Sequence, residues 1–157
     1  MSEIVSNDLN IETVLLRDGI FASVTVGSSM RPLFKTHRDM VVLKRVSGML
    51  NKYDVVLYRV NDKYILHRII GIDRDRGVYI IRGDNTYSKE YVKFDKILAS
   101  LISFSRAGKH HSVTDLTYRI YSVVWNILYP LRYVARRPYS LLSRAYRKIF
   151  KKRSEES

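Results

Sequence analysis

The chain has 157 residues and a net charge of +13, from 28 Lys and Arg residues against 15 Asp and Glu residues. Hydrophobic residues make up 46% of it, with only 7 Gly and 3 Pro, which excludes a disordered or collagen-like protein. The absence of cysteine excludes a disulfide framework, a cysteine-ligated zinc site and a thiol nucleophile. The 4 histidines are scattered, so we expect no bound metal and no cofactor.

The N-terminal region predicts one short helix and no secretory signal. Residues 1–10 are polar and acidic and lack the basic and apolar segments of a signal peptide. Between Asp8 and Asp18 the apolar residues recur at helical spacing, and Gly19 follows as a stop signal. We therefore expect a short amphipathic helix over residues 8–18.

The next part of the chain predicts a compact, mostly antiparallel β domain. Its apolar residues fall in short β-branched runs, separated by segments rich in Gly, Asn and Asp that suit hairpin turns. The class of the protein is thus expected to be mainly β. The six predicted strands are Phe21–Val26, Met40–Val46, Val55–Val60, Tyr64–Ile72, Val78–Ile81 and Ile97–Phe104.

The C-terminal part predicts a basic amphipathic helical tail, so we divide the chain into a β domain at 1–108 and a tail at 109–157. From Leu116 to Arg153 there are ten Lys or Arg residues and no acid, and residues 111–157 carry a net +7. Pro130 is expected to interrupt the helix and Pro138 to end it, before a second basic helix at 139–150. The apolar stripe consists of Ile120, Val123, Val124, Ile127, Leu128, Leu131 and Val134.

Two hypotheses account for this tail. In the first, the apolar stripe packs on the β domain and the charges are a solvated face. In the second, residues 116–153 lie on an anionic membrane, with Trp125 and the tyrosines at the depth of the lipid headgroups. No window is long enough for a transmembrane helix, since the longest apolar run, Ile120 to Leu131, has about twelve residues. We expect a cytoplasmic or peripheral membrane protein.

Four polar residues of the β region could carry chemistry: Ser29, His67, Asp84 and Glu90. Ser29 follows a predicted strand, two residues after Gly27 and three before Pro32, which places its hydroxyl on a turn. A nucleophilic serine needs a base such as His67, and that base needs an acid to orient it. Each residue also has an ordinary interpretation: a turn serine, a core histidine, a turn aspartate and a surface glutamate.

The order and spacing of these residues resemble the signal peptidase I and LexA-like clan of serine peptidases, over about Phe21 to Phe104. A histidine in the place of the lysine base is similar to the archaeal and endoplasmic reticulum branch of the signal peptidases. The matching segments are Ser29-Met30-Arg31-Pro32, Tyr53-Asp54-Val55-Val56-Leu57-Tyr58, His67-Arg68-Ile69-Ile70 and Gly83-Asp84-Asn85.

The resemblance implies a β domain of the signal peptidase type and a serine endopeptidase that cleaves a precursor or leader segment, bound as an added β-strand. Ser29 corresponds to the nucleophile and His67 to the general base. Either Asp84 or Glu90 orients the histidine, and both remain candidates. The family often has Ser-Gly-Ser-Met where this chain has Gly27-Ser28-Ser29-Met30, which displaces or removes one donor of the oxyanion hole.

Two other functions are alternatives. A LexA-like self-cleaving regulatory module would use a lysine base and a DNA-binding helix-turn-helix, and only about twenty residues precede the β domain. A non-enzymatic nucleic-acid-binding module would explain the charge and the 12 tyrosines. The densest mixture of basic and aromatic residues, however, lies on a helix with an apolar stripe and not on strands. We therefore expect a peptide precursor and an anionic membrane as the partners of this protein. Nucleic acid is the partner that the sequence favours least.

Overall fold

The structure is a computed structural model that describes residues 2–4 and 10–135. The predicted helix and all six predicted strands are present. A 3-10 turn covers Phe94–Lys96, and a further helical stretch covers 129–135. In chain order the elements are β1 (Ser2–Ile4), α1 (Ile11–Asp18), β2 (Ile20–Gly27), β3 (Met40–Arg45), β4 (Val55–Val60), β5 (Lys63–Asp73), β6 (Val78–Arg82), β7 (Glu90–Lys93), β8 (Ile97–Arg106), β9 (Lys109–Ser112) and α2 (Leu116–Ile127).

The described strands form one sheet in the order β1-β2-β3-β8-β4-β5-β6-β7, with β9 paired to β8. Every pairing between them is antiparallel, which confirms the predicted fold class. Strand β1 pairs with β2 and also with β5, where Glu3 lies opposite Ile65. Strands β1, β7 and β9 have no counterpart among the predicted strands, because they are short and largely polar.

Helix α1 ends at Asp18, before Gly19, as the sequence predicts, but it begins at Ile11 and not at the predicted Asp8. The side chain of Asn10 accepts a hydrogen bond from the backbone N–H of Glu12 at 3.0 Å, which caps the first turn. Gly19 ends the helix with a φ of 72°, a left-handed conformation that glycine adopts without steric cost. The helix buries Ile11 and Leu15 in the core.

The β4–β5 hairpin separates two apolar clusters. Its two-residue turn, Asn61-Asp62, joins strands in which Val56 lies opposite His67 and Leu57 opposite Leu66. Since successive side chains of a strand point to opposite faces, Leu57 and Leu66 join one cluster with Met30 and α1. The other cluster contains Val56, Tyr58, Ile65, Ile69, Tyr79, Ile81 and Ile97.

The chain divides into two compact units, Met1–Val123 and Val124–Ser157. Residues 109–112, which the sequence analysis assigned to the tail, form strand β9 and pair with β8, so the sheet extends past the predicted boundary at 108. Helix α2 ends at Ile127 and a turn at Leu128 precedes the helical residues 129–135, an interruption that Pro130 predicts. Pro138 and the second helix predicted at 139–150 lie outside the described residues. No helix of the described part is both long enough and apolar enough to cross a membrane.

Candidate active site

Ser29 lies in the turn that follows β2, and the loop after β6 fixes its backbone. The turn starts at Gly27, whose φ of 91° is a conformation that favours glycine. The backbone N–H of Asn85 donates to the carbonyl oxygen of Ser29 at 2.7 Å, and the Asn85 amide donates to the carbonyl oxygen of Ser28 at 3.2 Å. Asn85 therefore holds the backbone of the serine turn through two hydrogen bonds.

Ser29 and His67 form a direct side-chain hydrogen bond. Their Oγ and Nε2 atoms are 2.8 Å apart, and both residues are 2% exposed. His67 lies in the middle of β5, where Val56 of β4 is its partner across the sheet. Regular pairing with β4 therefore fixes the backbone that carries the imidazole ring. A serine hydroxyl at this distance can transfer its proton directly to the ring nitrogen.

The second ring nitrogen of His67 faces a glutamate and a tyrosine. The Nδ1 atom is 3.2 Å from Oε1 of Glu90 and 3.1 Å from the hydroxyl of Tyr58. Tyr58 also donates its hydroxyl proton to Oε2 of Glu90 at 2.6 Å. The hydroxyl proton of Tyr58 points to Glu90, so Nδ1 of His67 faces two oxygen acceptors and must itself carry the proton of the neutral imidazole. Nε2 then has no proton and accepts the hydrogen bond from Ser29.

The pKa shifts of this group agree with that assignment. The hydrogen bond from His67 lowers the pKa of Glu90 below its ordinary value; partial burial opposes this effect, and the hydrogen bond from Tyr58 adds to it. Burial raises the pKa of Tyr58 far above its ordinary value, and the Glu90 carboxylate raises it further. At neutral pH Glu90 is therefore an anion, and Tyr58 is a neutral donor that stabilises it.

Asp84, the other candidate acid, pairs with Arg68. The carboxylate and the guanidinium make two parallel bonds, Nε to Oδ1 and Nη2 to Oδ2, each 2.8 Å long. The third guanidinium nitrogen donates to the carbonyl oxygen of Tyr53 at 2.9 Å. Burial alone would lower the pKa of Arg68, but the charge and hydrogen bonds of Asp84 raise it overall, so the arginine remains a cation.

Strand geometry explains why Glu90 is the acid that contacts His67. Ile69 lies two residues after His67 on the same face of β5, and it pairs with Ile81 of β6. Ile81 pairs in turn with Glu90 of β7, which brings the glutamate to the same face. Tyr58 lies on this face as well, because it comes two residues after Val56, which is the partner of His67 in the β4–β5 register.

Arg68 belongs to the opposite face because it is the next residue of β5. It pairs with Arg82 of β6, and Asp84 lies two residues after Arg82. Asp84 lies in the turn that follows β6, and this turn brings its carboxylate to the arginine. Of the four predicted site residues, the structure brings Ser29, His67 and Glu90 together and places the carboxylate of Asp84 on Arg68.

Helix α2 supplies further partners to the buried ion pair. Ser122 accepts a hydrogen bond from Arg68 at 2.8 Å, and Tyr118 accepts another at 3.3 Å. The hydroxyl of Tyr121 donates to Asp84 at 3.0 Å. The membrane hypothesis placed the tyrosines among lipid headgroups, whereas Tyr118 and Tyr121 bind the ion pair.

Gly83 is packed against both Ser29 and His67. A Cβ atom at this position would lie 2.7 Å from the carbonyl oxygen of Ser29 and 3.0 Å from Nε2 of His67. Only a residue without a side chain fits this close approach. The glycine of the Gly83-Asp84-Asn85 segment is thus required by the contact between the serine and the histidine.

Four residues of these polar groups are not among the predicted site residues: Tyr58, Arg68, Tyr118 and Ser122. For Tyr58 a signal existed: a two-residue turn at Asn61-Asp62 fixes the β4–β5 register and places the tyrosine on the face of the histidine. For Tyr118 and Ser122 we find no comparable signal, since their contact with Arg68 depends on how α2 packs.

Within residues 2–4 and 10–135, no group of three or more His, Asp and Glu side chains could hold a metal ion. The chain matches no protein-family model and none of the curated proteins with which it was compared.

Proposed function

We propose that the protein is a serine endopeptidase of the signal peptidase type, which cleaves a peptide bond in a precursor or leader segment. The observation that carries the proposal is the hydrogen-bonded series from Ser29 through His67 to Glu90, with distances of 2.8 and 3.2 Å. A serine, a base and an orienting acid in contact are the groups that acyl transfer to a hydroxyl requires.

In the first step the Oγ atom of Ser29 attacks the carbonyl carbon of the scissile bond, while its proton moves to Nε2 of His67. The imidazolium that forms keeps its Nδ1 proton directed at Glu90, whose negative charge stabilises it. Collapse of the tetrahedral intermediate breaks the C–N bond. His67 gives its Nε2 proton to the departing amine, and the acyl group remains on Ser29 as an ester.

In the second step water takes the place of the amine. His67 accepts a proton from the water molecule as its oxygen attacks the ester carbonyl, and it then returns the proton to Oγ of Ser29. Tyr58 takes no part in proton transfer in this scheme, because its raised pKa keeps it protonated. Its hydrogen bond instead holds Glu90 in the position that orients the imidazole.

A substrate in extended conformation fits the strands around the site. Strand β1 lies between β2, which leads to Ser29, and β5, which carries His67, and it pairs with both. Ser2 lies opposite Gly27, only two residues before Ser29. Strand β1 therefore occupies these edges as an antiparallel strand, and a substrate segment would bind through its main chain by taking the place of β1.

The test is cleavage of a peptide library derived from digested protein, with new termini identified by mass spectrometry. Wild-type protein is expected to generate new termini, and Ser29→Ala and His67→Ala are expected to generate none above background. Ser47→Ala is the control, because Ser47 is an exposed serine outside the candidate site and should leave cleavage intact. Equal rates for Ser29→Ala and wild type would overturn the proposal.

The intact mass of the purified protein over time distinguishes the regulatory alternative. A self-cleaving module would convert itself into two fragments, whereas an enzyme that acts on other chains keeps its mass and turns over many peptides.

A further inference from the structure

Helix α2 exposes a continuous apolar face. Its aliphatic residues follow each other at steps of three and four positions and are between 38% and 70% exposed. Tyr118 and Ser122, on the other face, are buried. In the first unit the exposed residues are Leu116, Ile120 and Val123, and the second unit, taken by itself, exposes Val124 and Ile127.

The buried face fixes the direction in which the apolar face points. Ser122 and Tyr118 bind Arg68, which is itself fully buried and paired with Asp84. Turning the aliphatic residues inward would break these hydrogen bonds and leave a buried cation with fewer partners, which is costly. The outward position of the aliphatic face is therefore a consequence of the polar contacts of the helix.

The same part of the chain is strongly basic. Arg119 is exposed beside Ile120, and between residues 136 and 153 the sequence adds eight Lys and Arg residues and no acid. The second unit, taken by itself, also exposes Leu128, Leu131 and Val134. A partner of this segment must accept aliphatic side chains and neutralise positive charge at the same time.

The surface of an anionic bilayer meets both requirements, since acyl chains accept the aliphatic residues and acidic headgroups attract the Lys and Arg residues. Nucleic acid offers the charge but no apolar phase, and it binds by stacking on aromatic rings more than on aliphatic ones. Binding of a second copy of the chain is unfavourable, because two proteins of net charge +13 repel each other.

We propose that the part of helix α2 in the first unit binds an anionic membrane surface, lying in the interface with Leu116, Ile120 and Val123 among the acyl chains. This interaction goes beyond the peptidase proposal and does not depend on it, because binding is measured without any substrate. The contact of α2 with Arg68 and Asp84 then holds the first unit at the membrane surface through the face of the helix that is turned away from the lipid.

The experiment is flotation of the full chain with vesicles of phosphatidylcholine alone and of phosphatidylcholine with phosphatidylglycerol. We expect binding to the anionic vesicles, weaker binding as salt is added, and little binding to the neutral ones. The variant Leu116→Ser/Ile120→Ser should bind at least about tenfold more weakly. The matched control is Leu16→Ser/Met49→Ser, which removes two exposed apolar side chains elsewhere and should bind like wild type.

Several results would overturn the inference. They are no binding of the wild-type chain to anionic vesicles, equal binding by the α2 variant, or tighter binding of a single-stranded oligonucleotide than of the anionic vesicles. Self-association that the α2 variant abolishes, without vesicle binding, would assign the face to a second copy. The peptide cleavage rate of the α2 variant in solution should equal that of wild type, so a failed membrane proposal leaves the peptidase proposal intact.

Discussion

His67 and Arg68 are consecutive residues of strand β5, yet their side chains bind different carboxylates on opposite faces of the sheet. Nδ1 of His67 lies 3.2 Å from Glu90, while Arg68 holds Asp84 through two bonds of 2.8 Å. Strand β5 thus contributes to two polar groups. The group of His67 contacts Ser29, and the group of Arg68 contacts helix α2. The two acids are therefore expected to respond to mutation in different ways.

Replacing Glu90 by glutamine should reduce peptide cleavage on the order of 10²- to 10⁴-fold. A neutral amide cannot stabilise the imidazolium, and its NH₂ group would donate to Nδ1 and favour the wrong tautomer of His67. The measurement is the initial rate on a peptide identified from the library, with circular dichroism to establish that the variant is folded. A rate equal to that of wild type would remove Glu90 from the mechanism.

Replacing Asp84 by asparagine should destabilise the fold by about 3–5 kcal/mol, because it leaves the buried guanidinium of Arg68 without its counter-charge. Urea unfolding at neutral pH measures the loss. Asp18→Asn is the control, since it breaks an ion pair of the same 2.8 Å length with Arg17 on the surface and should change stability little. A loss for Asp84→Asn no larger than for Asp18→Asn would mean that the ion pair does not stabilise the fold.

The parts of the fold that the sequence predicts correctly are those with strong local signals. Helix α1 ends at its predicted stop signal, Gly19, and β4 has the predicted bounds because its β-branched residues end at a two-residue turn. The positions of Ser29 and His67 follow from such signals, since each lies on or beside a predicted strand. Local pattern and tertiary structure agree here.

The sequence alone does not determine whether Asp84 or Glu90 contacts His67, and the reason is physical. Glu90 begins a strand of only four residues, Glu90–Lys93, which forms through its pairing with β6 more than through its own β propensity. The contact of Glu90 with His67 depends on two strand registers, that of β5 with β6 and that of β6 with β7. The β5–β6 register contains an irregularity between Ile69 and Gly71. The spacing of residues along the chain does not determine these registers.

Replacing Gly83 by alanine should separate Ser29 from His67. The new Cβ would meet the serine carbonyl oxygen at 2.7 Å, so the backbone must move, at a cost of about 1–3 kcal/mol in stability. Since displacement of reacting groups by about 1 Å can lower the rate on the order of 10²-fold, cleavage should fall as well. Gly48→Ala is the control, because a Cβ there meets nothing within 4 Å. Equal unfolding curves and rates for the two variants would contradict the close packing.

The lowered pKa of Glu90 predicts a pH-dependent contribution to stability. The folded protein holds the carboxylate in its charged form more strongly than the unfolded chain does, because His67 and Tyr58 bond to it. Its contribution is therefore complete above the pKa of the unfolded state and is lost as the pH falls through the lowered folded pKa. Urea unfolding of wild type and Glu90→Gln should differ most near neutral pH, and the difference should narrow in acid. A difference independent of pH would argue against an ionised Glu90 carboxylate in the folded protein.

Removing residues 1–9 should increase the rate of peptide cleavage several-fold, mainly through a lower KM. Strand β1 pairs with Gly27 beside the nucleophile and with Ile65 near the base, so it occupies backbone groups that an extended substrate would use. A second variant, Glu3→Pro, removes one backbone donor from β1 without shortening the chain and should shift KM in the same direction. Thermal unfolding of both variants establishes that the remaining sheet is intact. An unchanged or higher KM in folded protein would mean that the substrate binds along a different edge, and that β1 only completes the sheet.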